Sequence, residues 1–151
     1  MNWYLLPTIE FGPTVVRRII DQIPPERWDE ALVAGRFTPR EVAAHLADWE
    51  PIMRDRIRLA AERPGTLVEV YDEEEMALSH GYSESNPVKQ CVLFARERAI
   101  TASYVRSLTA ASLANLALHP ERGEQSAADF ANTLLGHDFY HVEQLSAYLE
   151  G

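Results

Sequence analysis

Three histidines in this sequence have the residue type and spacing needed to hold a metal ion. His137 and His141 are four residues apart, so on a helix they share one face, about 6 Å apart in height. His45 is distant in sequence, but Val42 and Trp49 flank it at helical spacing, and this apolar stripe carries it inward. Three imidazole ligands leave coordination positions open for a substrate. The pattern predicts a catalytic metal centre inside a helical bundle.

Two other interpretations of the histidines are less consistent with the sequence. Each histidine alone is better explained as a core residue, but three buried rings without an ion would leave several donors and acceptors unsatisfied. The segment HDFYH also approaches the HExxH pattern of zinc proteases, but aspartate is shorter than glutamate and no histidine follows His141. We reject the protease interpretation. Motifs of serine hydrolases and nucleotide-binding proteins are absent from the sequence.

Four residues near the histidines are candidates for supporting roles. Asp48 follows His45 by one turn and Asp138 is adjacent to His137; we expect both to be solvated, with contact to a ligand imidazole or to water as the alternative. Trp49 and Tyr140 are expected to pack normally, with a place at the pocket mouth as the alternative. The sequence identifies no catalytic acid or base.

The remaining histidines and the single cysteine are expected to have no part in the site. His80 and His119 fall in predicted loops, and we expect both at the surface. Cys91 lies beside the apolar stripe of a predicted helix, so we expect it to be buried as a small hydrophobic residue rather than reactive.

The apolar spacing predicts four helices, and strand-like alternation is nearly absent. Thr38-Pro39-Arg40-Glu41 is a capping box, and Asn86-Pro87 is a cap followed by proline. Ser126 to Asp129 resembles a capping box in which the shorter aspartate takes the place of glutamate. In the first helix, Gly12-Pro13 is expected to cause a bend or a delayed start. The predicted helices run from about Leu5 to Ile23, Pro39 to Ala61, Pro87 to Leu108 and Ser126 to Leu149.

The connection between the second and third helices is unusually long. It runs from Arg63 to Ser85 and includes the acidic residues 72–75, which we expect to form a solvated face. A long crossover lets the second and third helices run in the same direction, which gives an all-α, four-helix bundle in up-down-down-up order. Antiparallel packing of the second and fourth helices also places the three histidines at similar heights. The third helix is expected to bury a stripe of Val88, Val92, Ala95, Ala99, Ala102 and Val105.

Length and charge limit the classes of function. The 151 residues, 46% of them hydrophobic, fit a single domain spanning residues 1–151. A net charge of −9 disfavours binding to nucleic acid or to anionic membranes, and no apolar run is long enough to span a bilayer. The first residues lack the pattern of a secretory signal, and the one cysteine cannot form an internal disulfide, so we expect a cytoplasmic protein.

Two segments resemble the DinB/YfiT-like superfamily of metalloenzymes. They are TPREVAAHLAD at residues 38–48 and HDFYHVEQL at residues 137–145, and the resemblance extends over essentially the whole chain. It implies a four-helix bundle in up-down-down-up order, frequently homodimeric, with His45, His137 and His141 binding zinc, nickel or a similar divalent ion. The resemblance also implies a reaction that uses a low-molecular-weight thiol such as bacillithiol or mycothiol.

Three functions follow as hypotheses. The leading one is a thiol-dependent S-transferase, or a related detoxification enzyme, in which the ion lowers the pKa of a small thiol and presents the thiolate to an electrophile. The second is a metal-dependent hydrolase of a small molecule, with water as the nucleophile. The third is a non-enzymatic metal-binding or stress-response dimer. Dependence on an added thiol separates the first two hypotheses.

Overall fold

Six helices and one hairpin make up the computed structural model, which describes residues 3–149. The prediction of one domain over residues 1–151 extends beyond this range at both ends. The helices are α1 Leu5–Ile20, α2 Pro39–Glu62, α3 Glu73–Ser79, α4 Pro87–Ser107, α5 Ala110–Ala114 and α6 Ala127–Ser146, and the strands are β1 Leu116–His119 and β2 Gly123–Ser126. Short 3₁₀ helices lie at Pro25–Arg27, Tyr82–Glu84 and Ala147–Leu149.

The long helices α1, α2, α4 and α6 form a four-helix bundle in up-down-down-up order, as predicted. Helix α1 packs mainly against α4 and α6, and α2 packs against the same two helices. Helices α1 and α2 therefore occupy diagonal corners, and the crossover between α2 and α4 makes this order possible. In the described part of the chain, no helix combines the length and apolar character needed to cross a bilayer.

Local capping explains where the long helices begin. The Thr38 hydroxyl accepts a hydrogen bond from the backbone N–H of Glu41, and the Glu41 carboxylate accepts one from the backbone N–H of Thr38. Ser126 and Asp129 form the same reciprocal pair at the start of α6. Helix α1 begins at Leu5 and continues through Gly12-Pro13, so the alternative of a delayed start is wrong.

The crossover contains more structure than predicted. Asp72 caps α3 by accepting hydrogen bonds from the backbone N–H groups of Glu74 and Glu75, so the acidic run is exposed, as expected, but helical. The hairpin β1–β2 was missed because each strand has only four residues. Its alternation turns His119 inward, and the expectation that His119 lies at the surface is wrong.

Helix α4 buries only part of the predicted stripe, Ala102 and Val105. Val92, Ala95 and Ala99 of the expected stripe are exposed, and the inward face includes Arg98 and Thr101 beside apolar residues. Apolar spacing alone does not reveal this face, because the buried Arg98 is a charged residue at its centre. The apolar residues on the inward face are Cys91, Phe94, Ala102 and Val105, which confirms the expected burial of Cys91.

Candidate metal centre

The structure brings the three predicted histidines together from two helices. His45 projects from α2, and His137 and His141 project from one face of α6. The Nε2 atoms of His45 and His137 are 2.9 Å apart. One ring nitrogen from each of the three histidines lies within 4.8 Å of the others. Three nitrogen ligands are therefore grouped around a single point between α2 and α6.

All three rings are held in the neutral form. Burial, together with the neighbouring histidines, lowers the pKa of His45 to about 3 and that of His137 to about 2. Burial also lowers the pKa of His141 to about 4, with the charge of Arg36 acting in the same direction and the hydrogen bond to Gln144 opposing it. A neutral imidazole has a free lone pair, which is the state that a metal ligand requires.

Gln144 fixes the orientation of His141. Its side-chain N–H donates to the backbone carbonyl of Phe37 at 2.6 Å, so its amide oxygen faces the Nδ1 atom of His141, at 3.1 Å. This oxygen can only accept, so His141 carries its proton on Nδ1 and leaves Nε2 unprotonated. The hydrogen bond thus selects the tautomer that presents Nε2 as a ligand.

His45 is enclosed by aromatic rings. The ring centres of Phe37, Trp49 and Tyr82 lie 5.1, 5.3 and 6.2 Å from that of His45. Within the described residues, the buried Nδ1 atom of His45 has no hydrogen-bond partner. A buried ring nitrogen without a partner is costly, and this one lies on the side of the ring away from Nε2, which faces His137.

The residues present fit a divalent transition metal. The donor set is three neutral imidazoles whose ligand nitrogens lie within 4.8 Å of one another, and a tetrahedral ion with bonds of about 2.1 Å would need a spacing of about 3.4 Å. Imidazole donors suit zinc, nickel, copper and iron. The ring of His141 is aligned by its hydrogen bond to Gln144, and the Nε2 atom of His45 faces the cluster.

A cavity of about 330 Å³ opens beside the histidines. Its volume suits a small molecule rather than a polymer. The loop before α2 supplies one wall, α6 supplies another, and two glutamates of α3 face them. The lining residues are Gly35, Arg36, Phe37, Glu73, Glu74, His137, Tyr140, His141 and Gln144.

Asp48 lies on the same helix as His45 but contacts other groups. Its carboxylate accepts a 2.6 Å hydrogen bond from the Tyr82 hydroxyl and lies 2.7 Å from Nδ1 of His80. Burial and this hydrogen bond raise the pKa of Tyr82. Asp48 thus supports the histidine cluster through the Tyr82 ring, and the exposed His80 is paired rather than free.

Asp138 is buried in a polar cluster, and the expectation of a solvated position is wrong. Its carboxylate accepts hydrogen bonds from Arg98 at 2.5 and 2.8 Å. Arg98 also donates two bonds of 2.8 Å to the carboxylate of Glu50 and one of 3.0 Å to the carbonyl of Ile9. All five N–H groups of the guanidinium therefore have acceptors.

The polar cluster joins the four long helices at one level. Ile9 belongs to α1, Glu50 to α2, Arg98 to α4 and Asp138 to α6. Burial raises the pKa of Asp138, and the guanidinium opposes this shift. Because α2 and α6 also carry the three histidines, the cluster fixes the relative position of the ligand-bearing helices.

The two aromatic candidates occupy different places. Trp49 is buried, with its ring centre 5.3 Å from His45 and 6.4 Å from His137, so it packs beneath the cluster. Tyr140 is exposed and lines the cavity, with its ring beneath the guanidinium of Arg36. Sequence reasoning missed Arg36, Phe37, Tyr82 and Gln144, which are polar or aromatic residues in loops and at the end of α6.

The sequence of this chain is similar to a known family and to a named relative. The sequence model of the DinB superfamily matches residues 8–145. A protein from Oceanobacillus iheyensis, provisionally named a metal-dependent hydrolase, is 24% identical over 139 residues, covering 92% of this chain and 80% of that protein.

Two solved structures share the fold. YfiT from Bacillus subtilis, provisionally described as a metal-dependent hydrolase with an unusual four-helix bundle topology, matches with a TM-score of 0.89 and 17% identity, covering 96% of this chain and 83% of YfiT. The mycothiol-dependent maleylpyruvate isomerase matches with a TM-score of 0.75 and 17% identity, covering 94% of this chain and 59% of the isomerase. This chain therefore matches only part of the isomerase, which is the longer of the two proteins.

Proposed function

This chain belongs to the DinB superfamily, and on that premise we propose that it is a metal-dependent enzyme whose ion is held by His45, His137 and His141. The observation that carries the proposal is the convergence of three neutral imidazoles, with ligand nitrogens within 4.8 Å of one another, beside a cavity. Three ligands are typical of catalytic rather than structural sites, because a position stays open for substrate. We propose zinc or nickel as the native ion.

The reaction that we propose is a thiol-dependent transfer, or a related detoxification reaction, with a low-molecular-weight thiol as cosubstrate. A divalent ion at this site supplies Lewis acidity that favours thiolate over thiol at neutral pH. The shared fold of the mycothiol-dependent isomerase is consistent with this class of reaction. The cavity of about 330 Å³ suits a small electrophile or a small thiol.

The residues of the chain prepare the site in three ways. Gln144 holds the tautomer of His141, and the rings of Phe37 and Trp49 keep water away from His45. The Arg98 cluster fixes α2 against α6 before any ligand arrives. This preorganisation reduces the cost of binding and reaction, since the donors are already aligned.

A second candidate is hydrolysis of a small ester or amide with water as the nucleophile. The provisional name of the Oceanobacillus iheyensis relative favours it, because that protein matches over most of both chains. Turnover that requires no added thiol would support hydrolysis, and turnover that requires a thiol would support transfer. These outcomes separate the two reactions on the same purified protein.

The experiment that tests the metal site is metal analysis of protein purified without a histidine tag. We expect about one ion per chain in the wild type and none in His45→Ala or His137→Ala, with helical circular dichroism retained in all three. His80→Ala is the matched control, because it removes an exposed imidazole outside the cluster, and it should keep the ion. A folded wild type that takes up no divalent ion would favour the non-enzymatic stress-response dimer.

We also propose that the protein is a homodimer. The outer face of α4 exposes Val92, Ala99 and Ile100, which gives an apolar surface suited to a second copy. Light scattering after size exclusion should give about twice the chain mass of 17.1 kDa. A monomeric mass at micromolar concentration would contradict the proposal.

A further inference from the structure

Arg36 stands at the wall of the cavity that contains His137 and His141. Its backbone N–H donates to the carbonyl of Val33, in a turn where Gly35 has a φ of 78°, which glycine adopts without strain. Its guanidinium lies 4.7 Å from the ring centre of Tyr140, and its charge contributes to lowering the pKa of His141. Arg36 is therefore a fixed cation next to the histidine cluster.

Two nitrogens of this guanidinium have no hydrogen-bond partner. Among the described residues, the buried Nε and Nη2 atoms of Arg36 have no hydrogen-bond partner. Nη2 lies 3.5 Å from a carboxylate oxygen of Glu143, but that side chain is 65% exposed and makes only a weak ion pair. By contrast, Arg98 uses every N–H group that it has.

The two unpaired atoms form one edge of the guanidinium. The N–H bonds of Nε and Nη2 point in nearly parallel directions, and this fork matches the two oxygens of a carboxylate. The side chain of Arg36 is 27% exposed, and a carboxylate in the cavity would satisfy both donors with charge-assisted hydrogen bonds once this edge turns toward it. The ring of Tyr140 packs against the face of the guanidinium, so it does not compete for the N–H groups at the edges.

From these contacts we infer that Arg36 is the specificity-determining residue of the site, and that it binds the carboxylate of a small anionic substrate held beside His137 and His141. The inference deepens the proposed function and depends on it. Glu73 and Glu74 line the same cavity and would repel a second anionic group. The geometry therefore points to a substrate with one carboxylate rather than to a polyanion.

The test uses protein loaded with Co²⁺, whose absorption spectrum reports thiolate binding directly. The probes are 3-mercaptopropionate, which carries a carboxylate, 2-mercaptoethanol, which is neutral, and cysteamine, which is cationic. We expect the wild type to bind 3-mercaptopropionate about 10- to 100-fold more tightly than 2-mercaptoethanol, the range of a charge-assisted pair. The intrinsic thiol pKa values cancel when the same pair of probes is compared across variants.

Arg36→Gln should bring that ratio close to one while leaving cobalt binding unchanged, and Arg36→Lys should give an intermediate ratio because it keeps the charge without the fork. Arg18→Gln is the matched control, because Arg18 also lies over a ring, that of Phe11, away from the cavity, and it should keep the wild-type ratio.

Three results would overturn the inference. They are an unchanged ratio in Arg36→Gln, tighter binding of cysteamine than of 3-mercaptopropionate by the wild type, and loss of cobalt in both Arg36 variants, which would mean a structural role. Failure of the wild type to bind Co²⁺ would be a different result, because it removes the proposed function together with this inference.

Discussion

The carboxylate of Asp138 accepts two hydrogen bonds from Arg98, while the ring of the adjacent His137 contacts His45. Neighbouring residues of one helix thus serve two separate groups, a buried ion cluster and a candidate metal centre. The cluster is expected to hold the fold, and the histidines are expected to hold the ion. This separation allows the two roles to be tested independently.

Arg98→Met should be strongly destabilising. The variant leaves the carboxylates of Glu50 and Asp138 buried without a cation, and breaking such a group costs about 3–5 kcal/mol. Urea unfolding followed by circular dichroism measures the loss. Arg106→Met removes an exposed ion pair with Glu10 and should cost at most about 1 kcal/mol. Equal costs for the two variants would show that the buried cluster adds nothing beyond a surface pair.

Gly12→Ala should destabilise the protein through the same cluster. A Cβ atom at residue 12 would lie 2.5 Å from a carboxylate oxygen of Asp138 and 3.1 Å from a guanidinium nitrogen of Arg98, so both groups must shift. We expect a loss of about 1–3 kcal/mol in the free energy of unfolding. Gly136→Ala is the matched helical control, because no atom lies within 4 Å of the added Cβ, and it should gain about 0.5–1 kcal/mol.

Gln144→Leu should weaken metal binding without unfolding the protein. The leucine cannot accept a hydrogen bond from Nδ1 of His141, so the ring loses its fixed tautomer and orientation. Loss of such a partner lowers metal affinity by about 10- to 100-fold. Competition with a chromophoric chelator measures the affinity, and Gln125→Leu on the hairpin serves as the control. Unchanged affinity in Gln144→Leu would mean that the hydrogen bond does not orient the ligand.

The metal-free protein should lose stability in mild acid. Below about pH 6.5 the unfolded chain protonates its histidines, whereas the folded chain keeps His45, His137 and His141 neutral because their pKa values are lowered. The unfolded state then binds more protons, so stability falls as the pH decreases, by about 1.4 kcal/mol per pH unit for each ring. Urea unfolding between pH 7 and 4.5 measures how the free energy of unfolding changes with pH. His45→Asn should reduce that slope by about 1.4 kcal/mol per pH unit, the contribution of one proton.

The sequence predicted the long helices because their signals are local. The capping residues Thr38, Asn86 and Ser126 each act within the next three residues, and each marks the start of a long helix in the structure. The order of the helices followed from the length of the crossover. Helix α3 and the hairpin were missed because such short elements have little periodicity to detect.

The sequence predicted that the three histidines come together, but it did not predict their surroundings. His45 and His141 occupy apolar stripes, so their inward direction could be read from spacing alone. Arg98 sits on a helix where a charged residue predicts exposure, and its acceptors come from helices remote in sequence. Gln144 and Arg36 likewise owe their roles to contacts with distant segments, which no local pattern encodes.

The complete hydrogen bonding of the Arg98 guanidinium has a consequence for how the protein would take up its metal ion. Since protein atoms alone satisfy that group, the cluster that positions α2 against α6 can form before any ion arrives. A site assembled before an ion arrives would select that ion through its ligand type and geometry, and the metal available at the moment of filling would contribute to the choice. Reconstitution with different ions should accordingly need no refolding step.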